Sequence, residues 1–144
     1  MDKTNLNILV LEDEPGRWGK FVKNMSSGNN LVIVDKVEAA IAHLKEGGWN
    51  FLFLDHDLGG EILVESGPGT GYEVACWLEE NQDMTPEVVI IHSLNSNGVD
   101  KMKMAVKEAY VIPGSWEFSD LLENWDEVSR NLEMTDRRLP LLSI

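Results

Sequence analysis

Five short apolar runs constrain this chain more than any other feature: Ile8-Leu9-Val10-Leu11, Leu31-Val32-Ile33-Val34, Phe51-Leu52-Phe53-Leu54, Val88-Val89-Ile90-Ile91 and Tyr110-Val111-Ile112. None alternates apolar with polar side chains. Successive side chains of a strand point to opposite faces, so a strand with one wet face alternates and a strand covered on both faces does not. The runs predict a parallel sheet with helices on each side. The segments between them carry helical spacing. Trp18, Phe21, Val22 and Met25 fall at i, i+3, i+4 and i+7, as do Val37, Ala40, Ile41 and Leu44. Val74, Trp77 and Leu78 form a third stripe, and Val99, Met102 and Val106 a fourth. Phe118, Leu121, Leu122, Trp125 and Leu132 predict one last helix. Pro15 suits the first turn of a helix, and Gly47-Gly48 ends the second.

Strand and helix thus alternate along the chain. Right-handed crossovers then favour an α/β fold, a single doubly wound five-stranded parallel sheet of order 2-1-3-4-5 flanked by about five helices. The 144 residues make one domain, with a core from about 7 to 135 and a tail, 136–144, to which no function is assigned. One connection is long: Gly59 to Gly71 separates strand three from its helix by over ten residues, where roughly two to six is usual. Gly67-Pro68-Gly69-Thr70-Gly71 lacks the Lys of a phosphate loop. The segment reads either as a lid over a site or as a plain surface insertion.

Twelve Lys and Arg stand against twenty-five Asp and Glu, a net charge of −13. This argues against nonspecific binding to nucleic acid or an anionic membrane, both of which need a basic face. A small anionic ligand stays open if a metal ion offsets the charge. No Lys or Arg occurs between Glu46 and Asp100. Cys76 is the single cysteine and reads as a packed thiol, which fits a cytoplasmic chain. Met1 to Asn5 carries no apolar signal core, and no run approaches the ~18 residues of a membrane span.

In a doubly wound sheet, ligands bind beyond the carboxyl ends of the strands. Strand one ends in Glu12-Asp13-Glu14, strand three in Asp55-His56-Asp57 and strand four in His92-Ser93-Leu94-Asn95. In the order 2-1-3-4-5 these three strands are neighbours and the clusters converge. Converging carboxylates cannot all stay ionised alone: either their pKa values rise or a cation binds. Oxygen ligands of this kind suit Mg²⁺. The alternative for an acidic pair after a strand is charge complementarity with a helix N-terminus.

These residues resemble a response-regulator receiver domain over residues 7 to about 113. The resemblance implies Mg²⁺ at Glu12 and Asp13, a phosphoacceptor-like Asp55, the strand-four hydroxyl at Ser93 and a helix-opening Gly71. Receivers also place a Lys before a Pro at the end of strand five. Here the chain reads Tyr110-Val111-Ile112-Pro113. Asp55-His56-Asp57-Leu58-Gly59, then Thr70-Gly71-Tyr72, then His92-Ser93-Leu94-Asn95-Ser96-Asn97-Gly98 is similar to a divergent branch, the cyclic-phosphate-processing receivers of bacterial and phage conflict systems. That resemblance implies action on a cyclic or terminal phosphate.

His56 is flanked by two carboxylates, and His92 precedes a hydroxyl. A carboxylate beside an imidazole favours its protonated form, which suits a general acid or base. Strand alternation sets His56 opposite to Asp55, and His92 opposite to Ser93, unless the chain has already left the strand. Arg17 either contacts a ligand phosphate or makes a surface salt bridge, and Asn95 either binds a phosphate oxygen or caps a turn. His43 reads as a surface residue.

Three functions follow. The first is a phosphoesterase with Mg²⁺ held by Glu12, Asp13 and Asp55. There His92, Asp57 or His56 handles protons, Asp55 attacks or serves only as a ligand, and Arg17, Ser93 and Asn95 hold the phosphate of a small phosphorylated or cyclic-phosphate molecule. The second is a non-catalytic module that captures a phosphorylated messenger or docks a partner protein or second copy. The third is a signalling receiver phosphorylated on Asp55, weakened by the missing Lys.

Overall fold

The computed structural model describes residues 5–58, 65–93, 95–113, 120–135 and 137. Its elements are β1 (Asn7–Leu11), α1 (Pro15–Met25), β2 (Asn30–Val34), α2 (Val37–Glu46), β3 (Phe51–Leu54), α3 (Gly71–Glu80), a 3₁₀ turn (Gln82–Met84), β4 (Val88–Ser93), α4 (Ser96–Ala105), β5 (Tyr110–Pro113) and α5 (Trp125–Glu133). All strand pairs are parallel, and the order is β2-β1-β3-β4-β5. The five apolar runs are the five strands.

Alternation along each strand divides the core into two layers. Leu9, Leu11, Leu52, Leu54, Val89 and Ile91 pack against Val37, Ala40 and Leu44 of α2, Val74 and Leu78 of α3, and Val99 and Met102 of α4. Ile8, Val10, Phe51, Phe53, Ile90 and Ile112 face Phe21 and Met25 of α1 and Trp125 and Leu132 of α5. Each fully buried Leu, Ile or Phe stabilises the fold by about 1.5–3 kcal/mol relative to an exposed position, so a doubly covered sheet follows from the pattern. The exception is β2, an edge strand whose residues are half-buried or exposed.

The helix signals hold with one correction. Pro15 opens α1, and Gly47 and Gly48 after α2 have φ of 75° and 80°, a region that disfavours residues with a Cβ. The last helix, however, begins at Trp125, not Phe118. Leu121 and Leu122 are buried in turns ahead of it, and Phe118 lies outside the described residues. Apolar spacing marks which residues face the core; it does not show that they do so from a helix. Of the long connection, residues 59–64 lie outside the described set, and 65–70 form bends and turns leading into α3. Cys76 is half-buried rather than packed away. In the tail, the Arg137 carbonyl accepts from Val111 N at 2.7 Å, and its guanidinium lies 5.0 Å over the Tyr110 ring, which covers the exposed edge of β5.

Candidate functional site

Register builds the first half of the site. Leu11 pairs with Leu54, and Leu54 with Ile91. One residue further along each strand, Glu12, Asp55 and His92 therefore fall in one row across three neighbouring strands. The ladder continues into that row, with Asp55 N donating to Leu11 O at 3.1 Å and Glu12 N to Val34 O at 2.9 Å. By alternation these three side chains belong to the α1–α5 layer, below Val10, Phe53 and Ile90.

Glu12 is fully buried and is the hub. Its Oε2 accepts from Asp13 N at 3.1 Å and Glu14 N at 3.3 Å. Its Oε1 lies 3.2 Å from His92 Nε2 and 3.4 Å from Arg17 Nη1. A carboxylate only accepts, so His92 Nε2 carries the hydrogen in that pair. The Trp18 indole N–H donates to Glu12 O at 2.7 Å and ties α1 to the strand end. Phe21 and Phe53 wall the His92 ring at 5.5 and 6.2 Å between centroids.

Carboxylate oxygens of Glu12, Asp13 and Asp55 all lie within 4.8 Å of one another. Burial, then the neighbouring Glu12 charge and hydrogen bond, pushes Asp55 up to about 9. Burial works in the same direction on Glu12, but its interactions with His92, by hydrogen bond and by charge, the Asp55 hydrogen bond and the Arg17 charge outweigh it and hold Glu12 at about 2. Burial lowers the His92 pKa, and the Glu12 hydrogen bond and charge oppose it only in part. Glu12 and Asp55 titrate as a pair, with one proton shared between them and resident on Asp55. A divalent cation would replace that proton. Hard oxygen donors, a half-buried third carboxylate at Asp13 and a carboxyl kept neutral for want of a counter-charge fit Mg²⁺.

Not every acid at this edge joins the cluster. Glu14 is the N-cap of α1, its Oε1 accepting from Gly16 N at 3.0 Å, which is the helix-terminus alternative realised. Asp57 belongs to a second group. The chain leaves the strand after Leu54, and His56 turns away from Asp55 toward α4, as alternation predicts. His56 is fully buried, with Nδ1 2.9 Å from Asp57 Oδ1 and Nε2 2.8 Å from Ser66 Oγ. Asn95 Nδ2 donates to the same Asp57 oxygen at 3.0 Å, and Asn95 Oδ1 caps α4 by accepting from Gly98 N at 3.0 Å. Ser93 Oγ accepts from Asn95 N at 3.1 Å, which fixes the turn into α4.

Two glycines make room for these groups. A Cβ at Gly71 would stand 1.9 Å from Asp55 O, and a Cβ at Gly98 would stand 2.4 Å from the His56 ring. Gly71 N also donates to His56 O at 2.9 Å. Ser66 and the role of Gly98 escape a sequence reading. Ser66 is one small polar residue in a turn-rich loop, and Gly98 looks like any glycine near a helix start. Arg17, in the sequence either a phosphate contact or a salt bridge, makes the salt bridge to Glu12 inside the cluster.

A concavity of about 440 Å³ opens beside the acidic cluster, lined by Asp13, Asp35, Lys36, Val37, Leu58 and Gly69. Another of about 420 Å³ lies at the far end of α3 and α4, around Leu78, Pro86 and Lys107, away from every residue of the two groups.

A sequence profile of the cyclic-phosphate processing receiver domain matches residues 8–108. The chain belongs to this family. The match takes in both polar groups and the strand ends that carry them. No curated protein sequence is significantly similar to the chain. Among solved structures, it is similar to the response regulator TrrA of Thermotoga maritima in complex with Mg²⁺–BeF, with a TM-score of 0.61 and 22% identity over 85% of this chain and 97% of that one. The phosphorylated cyanobacterial phytochrome response regulator RcpA gives a TM-score of 0.65 and 16% identity over 97% and 100%. The BeF₃-activated DrrB receiver domain gives 0.62 and 18% over 85% and 95%. Identities this low carry the fold and nothing finer. No described helix is long and apolar enough to cross a membrane.

Proposed function

We propose that the chain is a Mg²⁺-dependent phosphoesterase acting on a small phosphorylated or cyclic-phosphate molecule. The observation that carries this is the convergence of Glu12, Asp13 and Asp55 within 4.8 Å, with Asp55 driven to hold a proton. When bound there, Mg²⁺ supplies charge neutralisation of a phosphoryl group and of the oxygen that leaves it. The chain's own residues do the rest. Arg17, bridged to Glu12 and partly exposed, offers its remaining N–H groups to a phosphate oxygen. Phe21 and Phe53 keep water from the inner side of His92, whose Nε2–H fixes the Glu12 carboxylate. Asp13, at the border of the 440 Å³ concavity, joins the carboxylates to a space within the range of small-molecule sites, roughly 300–1,000 Å³.

Purified protein with Mg²⁺ is expected to open or hydrolyse at least one member of a panel of cyclic nucleotides and other phosphate esters, read by ³¹P NMR. Asp55→Asn is expected to lose at least about a hundredfold in rate. No turnover of any panel member by folded protein contradicts the proposal.

The receiver fold favours a second reading, phosphorylation of Asp55 in a signalling chain. Against it, Ile112, in register with His92, stands before Pro113 where a receiver carries the Lys that neutralises the phosphoryl group. Acetyl phosphate decides between the two: a stable adduct on Asp55 without ester hydrolysis selects signalling.

A further inference from the structure

His56 lies in a line of contacts that ester hydrolysis at the acidic cluster does not use. Asp57 Oδ1 stands 2.9 Å from Nδ1 of the ring, and Ser66 Oγ 2.8 Å from Nε2. Asn95 Nδ2 lies 3.2 Å from Nδ1 and 3.0 Å from the same Asp57 oxygen. The shorter Nδ1 contact is to that carboxylate oxygen, which only accepts, so the hydrogen is assigned to Nδ1. The amide then donates to Asp57, and Nε2 presents its lone pair to the Ser66 hydroxyl. Acid, imidazole and hydroxyl in this order form the arrangement that activates a serine as a nucleophile, whatever fold holds it. The ring is closely confined: it is fully buried, and it rests on Gly98 at a distance that leaves no room for a methyl group unless something shifts. Ser66 itself is half-buried, in the bends and turns that lead into α3.

We propose that Ser66 is a nucleophile activated by His56 and Asp57, and that it accepts a phosphoryl group from a phosphoester electrophile. The substrate class rests on the phosphoesterase reading; the reactivity of Ser66 does not. Ser66 Oγ attacks phosphorus, and its proton passes to His56 Nε2. The phosphorus–oxygen ester bond breaks, and the departing alkoxide takes that proton. Water then attacks the serine-bound phosphorus with His56 accepting its proton, the Oγ–P bond breaks, and the proton returns to Ser66.

A fluorophosphonate tests this directly, since Oγ–P formation with loss of fluoride leaves a stable adduct. The full chain is incubated with an alkyl fluorophosphonate in EDTA, and the adduct is located by tandem mass spectrometry. A single adduct on Ser66 is expected, absent in Ser66→Ala and formed at least about a hundredfold more slowly in Asp57→Asn and His56→Gln. Asp57→Asn preserves shape and keeps the comparison valid where His56→Gln fails to fold, with melting curves checking each variant. No adduct on Ser66, or labelling of Asp57→Asn at the wild-type rate, overturns the proposal. Labelling of Ser66 together with an inert ester panel supports Ser66 and removes the phosphoesterase reading; ester hydrolysis without labelling does the reverse.

Discussion

The two buried histidines sit at the ends of neighbouring strands, yet their surroundings differ in kind. His92 meets Glu12, which also contacts Arg17, Asp55 and backbone amides, beside the further carboxylate of Asp13. That group holds more acid than its own cations and donors can neutralise, and the surplus appears as the raised pKa of Asp55. His56 meets one carboxylate, one amide and one hydroxyl, and each donor has an acceptor. The first group carries an excess of acid that a proton on Asp55 offsets; in the second, these donors and acceptors match. Strand alternation creates the difference: Asp55 and His56 are adjacent in sequence and face opposite layers.

Closing off the backbone around each group gives the largest effects. Gly71→Ala sets a methyl 1.9 Å from the Asp55 carbonyl, where only backbone movement relieves the clash. A loss of about 3 kcal/mol or more is expected in urea unfolding. Gly98→Ala presses on the His56 ring, a side chain able to shift slightly, and is expected to cost about 1–3 kcal/mol. No cost at either position would remove the claim that both groups are built to close tolerance.

The proton on Asp55 sharpens the contrast through pH. Its folded value of about 9 lies above the ordinary 3.8, so between those values the folded, metal-free chain holds a proton that the unfolded chain does not. That contribution is fully present below about pH 4 and is lost as pH rises toward 9. Asp55→Asn carries no such proton. In EDTA at pH 8 it is expected to be more stable than wild type by roughly 1–3 kcal/mol, with the gap closing toward pH 4. Parallel stability profiles for the two proteins would show that Asp55 is not held neutral.

The smallest effect concerns Arg17. Its guanidinium shares Glu12 Oε1 with His92 and is partly exposed. Arg17→Gln is expected to tighten Mg²⁺ binding by a few-fold, the scale of one screened charge, while weakening inorganic phosphate binding to the Mg²⁺-loaded protein. Weaker Mg²⁺ binding in Arg17→Gln would show that the Arg17 charge does not compete with the cation for Glu12.

The sheet was legible because burial on both faces leaves a mark in every strand residue, as in Phe51-Leu52-Phe53-Leu54. Glu12, Asp13 and Asp55 were legible because acids gathered at the carboxyl ends of neighbouring strands lie at the edge where ligands bind. The division of labour among the acids was not. Glu14 as a cap and Asp57 as a partner of His56 depend on where the chain leaves the strand, and one residue reverses the facing of every side chain. Ser66 depends on the path of a loop, and Leu121 and Leu122 bury themselves from turns that apolar spacing cannot tell from a helix.

Calorimetric titration of the metal-free chain with Mg²⁺, at pH 7 and again at pH 8, tests most directly whether Glu12, Asp13 and Asp55 form one cation site. The expected result is a single ion bound with release of close to one proton, an affinity that rises up to about tenfold per pH unit below the Asp55 value of about 9, and no binding heat for Asp55→Asn. Mg²⁺ binding that Asp55→Asn leaves intact, or no Mg²⁺ binding by the folded wild-type chain, would contradict the account.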